Sequence, residues 1–150
     1  MAAEYLANMA QVVNPNAPII FTASIPCTRG YVYHEDETGI FILRGITNGQ
    51  CYATYQVTFN GNIASNGATV APIAIALTVN GEESPTSRAV YTPAGVGELG
   101  NVTATAIIRV PKGCCFTLAV ENIPVGEAGE EPTPVPITVE NANLVINRIA

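Results

Sequence analysis

The feature that most constrains this sequence is an alternation of apolar and other residues with a period of two. In residues 51–59 the apolar positions are Cys51, Ala53, Tyr55, Val57 and Phe59, and residues 73–79 repeat the pattern. Because successive side chains of a β-strand point to opposite faces, this alternation predicts strands with one face in a core. The Asn80-Gly81 pair that follows tolerates positive φ and predicts a tight hairpin turn at 80–83.

The spacing of turn residues extends this prediction along the chain. Thirteen glycines and eleven prolines are spread over the sequence, which is typical of an all-β protein with many turns. Further strands are predicted at 18–24, 30–34, 39–44, 87–91, 101–110, 115–121 and 137–149. No helical pattern separates them, so a parallel βαβ sheet is excluded and an antiparallel sandwich or barrel is expected.

The first residues are the one segment with helical spacing. Leu6, Met9 and Val13 fall three and four residues apart and predict a short helix. The sequence Asn14-Pro15-Asn16 would end it, because proline restricts the residue before it. We expect residues 1–16 to form an arm and residues 17–150 to form the folded domain.

The composition limits the kinds of partner that the chain is expected to bind. Charged residues make up 12% of the chain and hydrophobic residues 48%, with twelve acidic against six basic side chains and a net charge of −6. A chain this apolar is not disordered, and it lacks the clustered Lys and Arg with which proteins bind nucleic acid. So few charges cover the exterior of a small monomer poorly, which predicts apolar contact with another subunit.

The sequence also gives expectations about the membrane and the compartment. No apolar run approaches the length needed to cross a bilayer, and the N terminus has no basic start. We therefore expect a soluble protein that is made in the cytoplasm and has no membrane partner.

The single histidine is a weak candidate for catalysis. His34 stands before Glu35, Asp36 and Glu37, and this run is typical of a solvated turn. A Ca²⁺ loop would need alternating acidic ligands around a central glycine, and this run does not match that pattern. A second acidic stretch, 125–136, contains three prolines and is expected to be a solvated loop. With no catalytic motif elsewhere, we expect no enzymatic activity and no cofactor or metal.

The four cysteines allow more than one interpretation. Cys114 and Cys115 are adjacent and in a strand would point to opposite faces, so a shared tetrahedral zinc site is not expected. Cys27 and Cys51 are either buried free thiols or a disulfide. Without a secretory signal the free thiols are favoured.

The second half of the chain resembles a known fold family. Its motifs follow in the order IALTVNGEESP, YTPAGVGELGNVTATAIIRVPKGCCFTLAVEN and ITVENANLVINRIA. This order is similar to the trimeric jelly rolls of the tumour-necrosis-factor and complement-globular-head type, over residues 40–150. The resemblance implies an antiparallel jelly-roll sandwich that forms a homotrimer. The candidates for its core or trimer interface are Tyr52, Tyr55, Phe59 and Leu118.

With its opening residues, which begin YLANMAQVVNPNAP, the whole chain looks like small capsid decoration or head-fibre proteins of tailed phages and prophages. This resemblance implies a virion protein on the capsid exterior whose partner is the major capsid protein. We expect the arm to dock there through its apolar residues, Tyr5, Leu6, Met9, Val12 and Val13. The alternative is a module of the same fold that binds glycans or another host-surface ligand through its distal loops.

Overall fold

The fold is a sandwich of two antiparallel β-sheets. The structure is a computed structural model and describes residues 2–25, 30–67, 70–125, 131 and 134–150. Its strands are β1 Ala2–Ala7, β2 Gln11–Val13, β3 Ala23–Ile25, β4 Val32–His34, β5 Phe41–Arg44, β6 Tyr52–Ser65, β7 Ile73–Val79, β8 Glu82–Glu83, β9 Ala89–Tyr91, β10 Gly100–Pro111, β11 Cys115–Ile123 and β12 Ile137–Arg148. A 3-10 turn spans Pro85–Ser87.

Each sheet has six strands. The first has the order β10–β6–β12–β1–β3, with β2 paired to β12, and the second has the order β4–β5–β11–β7–β8, with β9 paired to β7. From β9 onward, each successive strand lies in the opposite sheet to the one before it, as also happens from β5 to β7. This path confirms the predicted all-β, antiparallel jelly-roll sandwich. Among the described residues, none forms a helix long and apolar enough to span a bilayer.

The core lies between the sheets, where their inward faces meet. Strand β6 contributes Tyr55, Val57 and Phe59 from the first sheet, and all three are fully buried. Phe41 and Leu77 are fully buried on the facing strands of the second sheet. Burial of each such side chain contributes roughly 1.5–3 kcal/mol to folding.

The predicted hairpin turn is confirmed. Asn80 has φ of 52° and Gly81 has φ of 83°, so both turn residues occupy the left-handed region that the sequence pair tolerates. Val79 pairs with Glu82 across this turn. The Asn80 side-chain Oδ1 also accepts a hydrogen bond from the Thr117 backbone N–H at 2.9 Å, which joins the turn to β11.

The alternation predicted for 51–59 and 73–79 is confirmed, with two differences. Cys51 lies before β6 and is exposed, because the buried pattern begins at Ala53. In β7 both faces are buried: Ala74 and Ala76, which point away from the core, are as inaccessible as their apolar neighbours.

The helix expected in residues 1–13 is wrong. Residues 2–7 form β1, which pairs with β12 along its whole length and with β3 on its other side. Residues 11–13 form β2, which pairs with the start of β12. Leu6 lies in β1, Val13 in β2 and Met9 between them, and pairing with neighbouring strands stabilises these segments where an isolated helix this short would not be stable.

The same strand pairing corrects the expectation that residues 1–16 form an arm separate from the jelly roll. Tyr5 is almost fully buried, with its ring edge against Phe41 at 4.6 Å and against His34 at 5.0 Å between centroids. Because Tyr5 belongs to the first sheet and the other two rings to the second, the N-terminal strand helps to hold the sheets together. The described part of the expected arm is therefore part of the sandwich.

Most of the acidic stretch 125–136, including residues 126–130 and 132–133, lies outside the described residues, as does Cys27. The expectations of a solvated loop at 125–136 and of a possible Cys27–Cys51 disulfide therefore stay predictions.

Candidate functional site

The outer face of the first sheet is an open surface, defined by the outward side chains of β10, β6, β12 and β1. Strand register places these side chains in rows that cross the sheet. From one end of the sheet to the other, β10 contributes Asn101, Thr103, Thr105, Ile107 and Arg109. These rows form one continuous surface of short polar and apolar groups.

The outer face carries very little charge. Besides the β10 residues, its members are Asn62, Asn60, Thr58, Gln56, Thr54 and Tyr52 on β6, Asn141, Asn143, Val145 and Asn147 on β12, and Leu6, Glu4 and Ala2 on β1. Within this set only Glu4 and Arg109 carry acidic or basic side chains, and one further acidic residue, Glu140, is exposed beside Asn141 at the bulge of β12. Threonine favours strands, whereas asparagine is depleted in them, so the row of asparagines needs a separate explanation.

The asparagines at one end of the outer face bind one another. The Asn101 Nδ2 group donates to Asn60 Oδ1 at 2.8 Å and to Asn62 Oδ1 at 3.2 Å. Asn62 Nδ2 donates in turn to Asn141 Oδ1 at 2.8 Å. This network crosses three strands and fixes the orientation of the amides.

A cleft of about 250 Å³ opens beside this network. We call it the asparagine cleft; its polar lining comprises Asn8, Asn60, Asn62, Asn101, Asn141 and Asn143 with Glu4. The register of β12 against β6 shifts between Val139 and Asn141, and such a bulge bends the strand locally. Separately from this network, Asn143 Nδ2 donates to the Glu4 carboxylate at 3.4 Å, which links β12 to β1.

A glycine lies beneath this cleft for a steric reason. A Cβ atom at Gly61 would come within 2.7 Å of Cζ of the buried Phe59 ring and 3.3 Å of the Ala142 Cβ. The absence of a side chain at 61 therefore lets the Phe59 ring occupy the core directly under the asparagines.

The other end of the outer face is more apolar and is called here the apolar half. Ile107 on β10 is 57% exposed, and Tyr52 and Ile149 are about as open to solvent. Val145 on β12 is half-buried between them and the cleft. The face thus divides into an amide-rich end and an end with large exposed hydrophobic side chains.

The outer face of the second sheet differs. Its central outward side chains, Ala76, Thr78 and Ala119, are already buried within the described chain. At its margin, Arg88 and Glu83 form an ion pair with Nε to Oε1 at 2.6 Å. Their hydrogen bond lowers the pKa of Glu83, against a smaller opposing effect of burial, and raises the pKa of Arg88.

The residues assigned to docking are divided between core and surface. Tyr5 and Val13 are buried in the sandwich, so they have no surface to offer a partner. Leu6 is half-buried on the outer face. Met9 and Val12 are 73% and 58% exposed, and they lie at the connection between β1 and β2 and on β2 itself.

The candidates for core or trimer interface are divided in the same way. Tyr55, Phe59 and Leu118 are fully buried, and Tyr52 is about half exposed. The Tyr55 hydroxyl donates to the Arg44 carbonyl oxygen at 2.6 Å and lies 3.1 Å from the Tyr31 carbonyl oxygen. Tyr55 is therefore an inter-sheet core residue, and Tyr52 belongs to the apolar half.

The sequence candidates for chemistry do not come together. His34 stacks on Phe41 at 4.3 Å and its Nε2 lies 2.9 Å from the Thr38 carbonyl oxygen, so the ring packs at the sandwich edge while the acidic residues after it are exposed. Cys51, Cys114 and Cys115 are exposed, and for Cys51 this differs from the expectation of a buried thiol. In the described part of the chain, no three His, Cys, Asp or Glu side chains are grouped as a metal site would require.

Comparison with solved structures supports the fold. The globular domain of a zebrafish complement 1qA protein superimposes with a TM-score of 0.62 at 15% sequence identity, over 99% of this chain and 97% of that one. The tumour necrosis factor Eiger of S. frugiperda gives a TM-score of 0.61 at 13% identity, over 100% of this chain and 92% of that one. No protein-family model and no curated protein sequence matches. The chain therefore has the jelly-roll fold of complement and tumour-necrosis-factor globular domains.

Proposed function

We propose that this chain is a non-enzymatic structural protein that assembles as a homotrimer through the outer face of its first sheet. The observation that carries the proposal is the extent of that face and its near lack of charge, in a chain with a net charge of −6. Like copies that met through strongly acidic surfaces would repel one another, whereas this surface brings together mainly amide, hydroxyl and aliphatic groups.

The size of the outer face suits such an interface. Four strands about 4.8 Å apart, crossed by five rows about 6.8 Å apart, span on the order of 650 Å². This approaches the roughly 800 Å² per partner of a specific protein interface of standard size. The apolar half supplies Tyr52 and Ile107 as candidate anchors, and large side chains of this kind dominate the core of interfaces.

The number three comes from the resemblance of the sequence to trimeric jelly rolls. A cyclic arrangement lets each copy present one surface to the next around a closed ring, so that no adhesive face is left over. Three copies also account for the shortage of charged side chains, because the least charged surface of each copy becomes buried.

Substitution on the apolar half tests this interface. Ile107→Glu places a charge in the proposed seam and is expected to convert the trimer to monomers, as measured by light scattering after gel filtration. The matched control is Val90→Glu, since Val90 is 52% exposed on β9 of the other sheet and its substitution is expected to leave the mass unchanged. Equal masses for both variants would contradict the assignment of the seam.

We also propose that the trimer decorates a phage capsid, with the major capsid protein as partner and the virion as its location. The resemblance to phage head proteins supports this role, and the exposure of Met9 and Val12 supplies a docking surface at the β1–β2 connection. Met9→Glu with Val12→Glu is expected to abolish binding to purified phage heads that lack the protein. Full occupancy of the heads by this double variant would reject the docking site.

A further inference from the structure

The asparagine cleft has a chemistry that the assembly of copies does not require. Its amides are held by one another: the side-chain carbonyls of Asn60, Asn62 and Asn141 accept hydrogen bonds from neighbouring amides. An amide carries two N–H donors, and within the described chain the side-chain nitrogens of Asn60 and Asn141 have no hydrogen-bond acceptor. These donors are therefore oriented and available to a ligand at the surface.

Acceptors lie beside these donors. Glu4 offers a carboxylate on β1, of which one oxygen receives the Asn143 amide at 3.4 Å. The amide oxygen of Asn101 also remains available, because its nitrogen is the atom used in the network. Leu6 and Ala142 contribute apolar surface to the lining. The cleft thus combines fixed donors, fixed acceptors and a small apolar patch.

This combination suits a small, uncharged ligand that carries adjacent hydroxyl groups. Adjacent hydroxyl groups need a donor and an acceptor side by side, and the amide and carboxylate groups here provide both. Phosphate, sulfate and carboxylate ligands call for Arg or Lys, and the cleft lining contains neither. The volume of about 250 Å³ is slightly below the range of about 300–1,000 Å³ of drug-sized ligand pockets. A ligand of the size of one monosaccharide therefore fits it best.

We propose that the asparagine cleft binds one residue of a neutral sugar through the amides of Asn60 and Asn141 and the carboxylate of Glu4. The site lies at the opposite end of the outer face from the apolar half. The cleft shares the outer face with the proposed seam, so it stays open in the proposed trimer only where the seam is confined to the apolar half, whereas a monomeric protein would retain it.

The experiment titrates the full-length chain with mannose, galactose, N-acetylglucosamine and sialic acid, and follows the side-chain NH₂ signals of asparagine by NMR. A neutral sugar is expected to shift the Asn60 and Asn141 signals with a Kd on the order of 1 mM, which corresponds to about −4 kcal/mol. Asn60→Ala, Asn141→Ala and Glu4→Gln are each expected to weaken binding about tenfold, the effect of losing one good hydrogen bond.

Asn147→Ala is the matched control. Asn147 lies on β12 and on the same outer face, outside the cleft lining, so its loss is expected to leave sugar affinity unchanged. Circular dichroism of each variant verifies the fold, and Glu4→Gln tests the site without altering the amide network between β6, β10 and β12.

Three results would overturn the proposal: no neutral sugar shifts these signals, sialic acid binds more tightly than the neutral sugars, or Asn147→Ala weakens binding as much as Asn141→Ala. None of them bears on the trimer, whose mass is measured separately. In the same way, a monomeric protein that binds the sugar would reject the trimer and leave the cleft assignment intact.

Discussion

At the scale of single residues, the inter-sheet hydroxyl of Tyr55 makes the sharpest stability prediction. Tyr55→Phe removes the donor to the Arg44 and Tyr31 carbonyl oxygens but keeps the buried ring. The Tyr31 carbonyl oxygen keeps its backbone hydrogen bond from the Arg44 N–H at 2.9 Å, so the loss is that of about one hydrogen bond. We expect the free energy of unfolding in urea to fall by about 0.5–1.5 kcal/mol. Tyr52→Phe, on the exposed neighbour, is expected to change it by less than about 0.5 kcal/mol. Similar losses in the two variants would contradict this account.

The Glu83–Arg88 pair predicts that the free energy of unfolding depends on pH. The pKa of Glu83 is lowered from an ordinary value of 4.5, chiefly by its hydrogen bond with Arg88. A carboxylate with a depressed folded-state pKa stabilises the protein above its unfolded pKa, and the contribution is lost as the pH falls through the folded value. The pair is partly exposed, so Glu83→Gln is expected to cost at most about 1 kcal/mol at pH 7.

The measurement is the difference in free energy of unfolding between the wild type and Glu83→Gln at several pH values. We expect the difference to shrink between pH 5 and pH 3, as the carboxyl becomes protonated in both states. A difference that grows on acidification would mean that another interaction sets the stability of this turn.

At the scale of elements, β1 makes the next prediction. Because β1 pairs with β12 and β3 and carries Tyr5 into the core, deleting residues 1–13 is expected to abolish cooperative thermal unfolding. Tyr5→Ala alone is expected to cost about 3–5 kcal/mol, as for other large aromatic residues. Met9→Ser, at an exposed position between β1 and β2, is the control and is expected to change stability by less than about 0.5 kcal/mol.

A truncated chain that keeps a cooperative melt, measured by circular dichroism, would show that the N-terminal strand is an accessory to the sandwich. That result would also restore residues 1–16 as a separable arm.

Some of these elements are determined by local sequence and others by distant strand partners. Alternation in 51–59 and the Asn80-Gly81 pair determine local geometry through side-chain direction and backbone φ, and both were predictable. Residues 2–13 were not, because a strand this short is defined by its partners, and β12 is more than a hundred residues away in the sequence. Local spacing favoured a helix that tertiary pairing overrides.

The asparagine cleft was missed for a similar reason. Asn60, Asn62, Asn101, Asn141 and Asn143 lie on three strands, and only the register brings them together. A signal was present in the sequence, since asparagine at alternate positions of a predicted strand runs against the usual composition of strands. The exposure of Tyr52 and the burial of Tyr55 likewise depend on which face meets the second sheet.

At the scale of the whole molecule, the central claim is that the weakly charged outer face joins copies of the chain. The monomer leaves Ile107, Tyr52, Ile25 and Ile149 open to solvent, and three copies joined through this face would cover a large part of that surface. The net charge of −6 per chain would then be carried on the remaining surfaces, where it keeps assemblies apart in solution.

Native mass spectrometry of the full-length chain at low micromolar concentration tests this claim most directly. The account predicts one dominant species with three times the 15.7 kDa mass of the chain, about 47 kDa, and its conversion to single chains by Ile107→Glu. A wild-type protein that stays at 15.7 kDa while folded and soluble would contradict it.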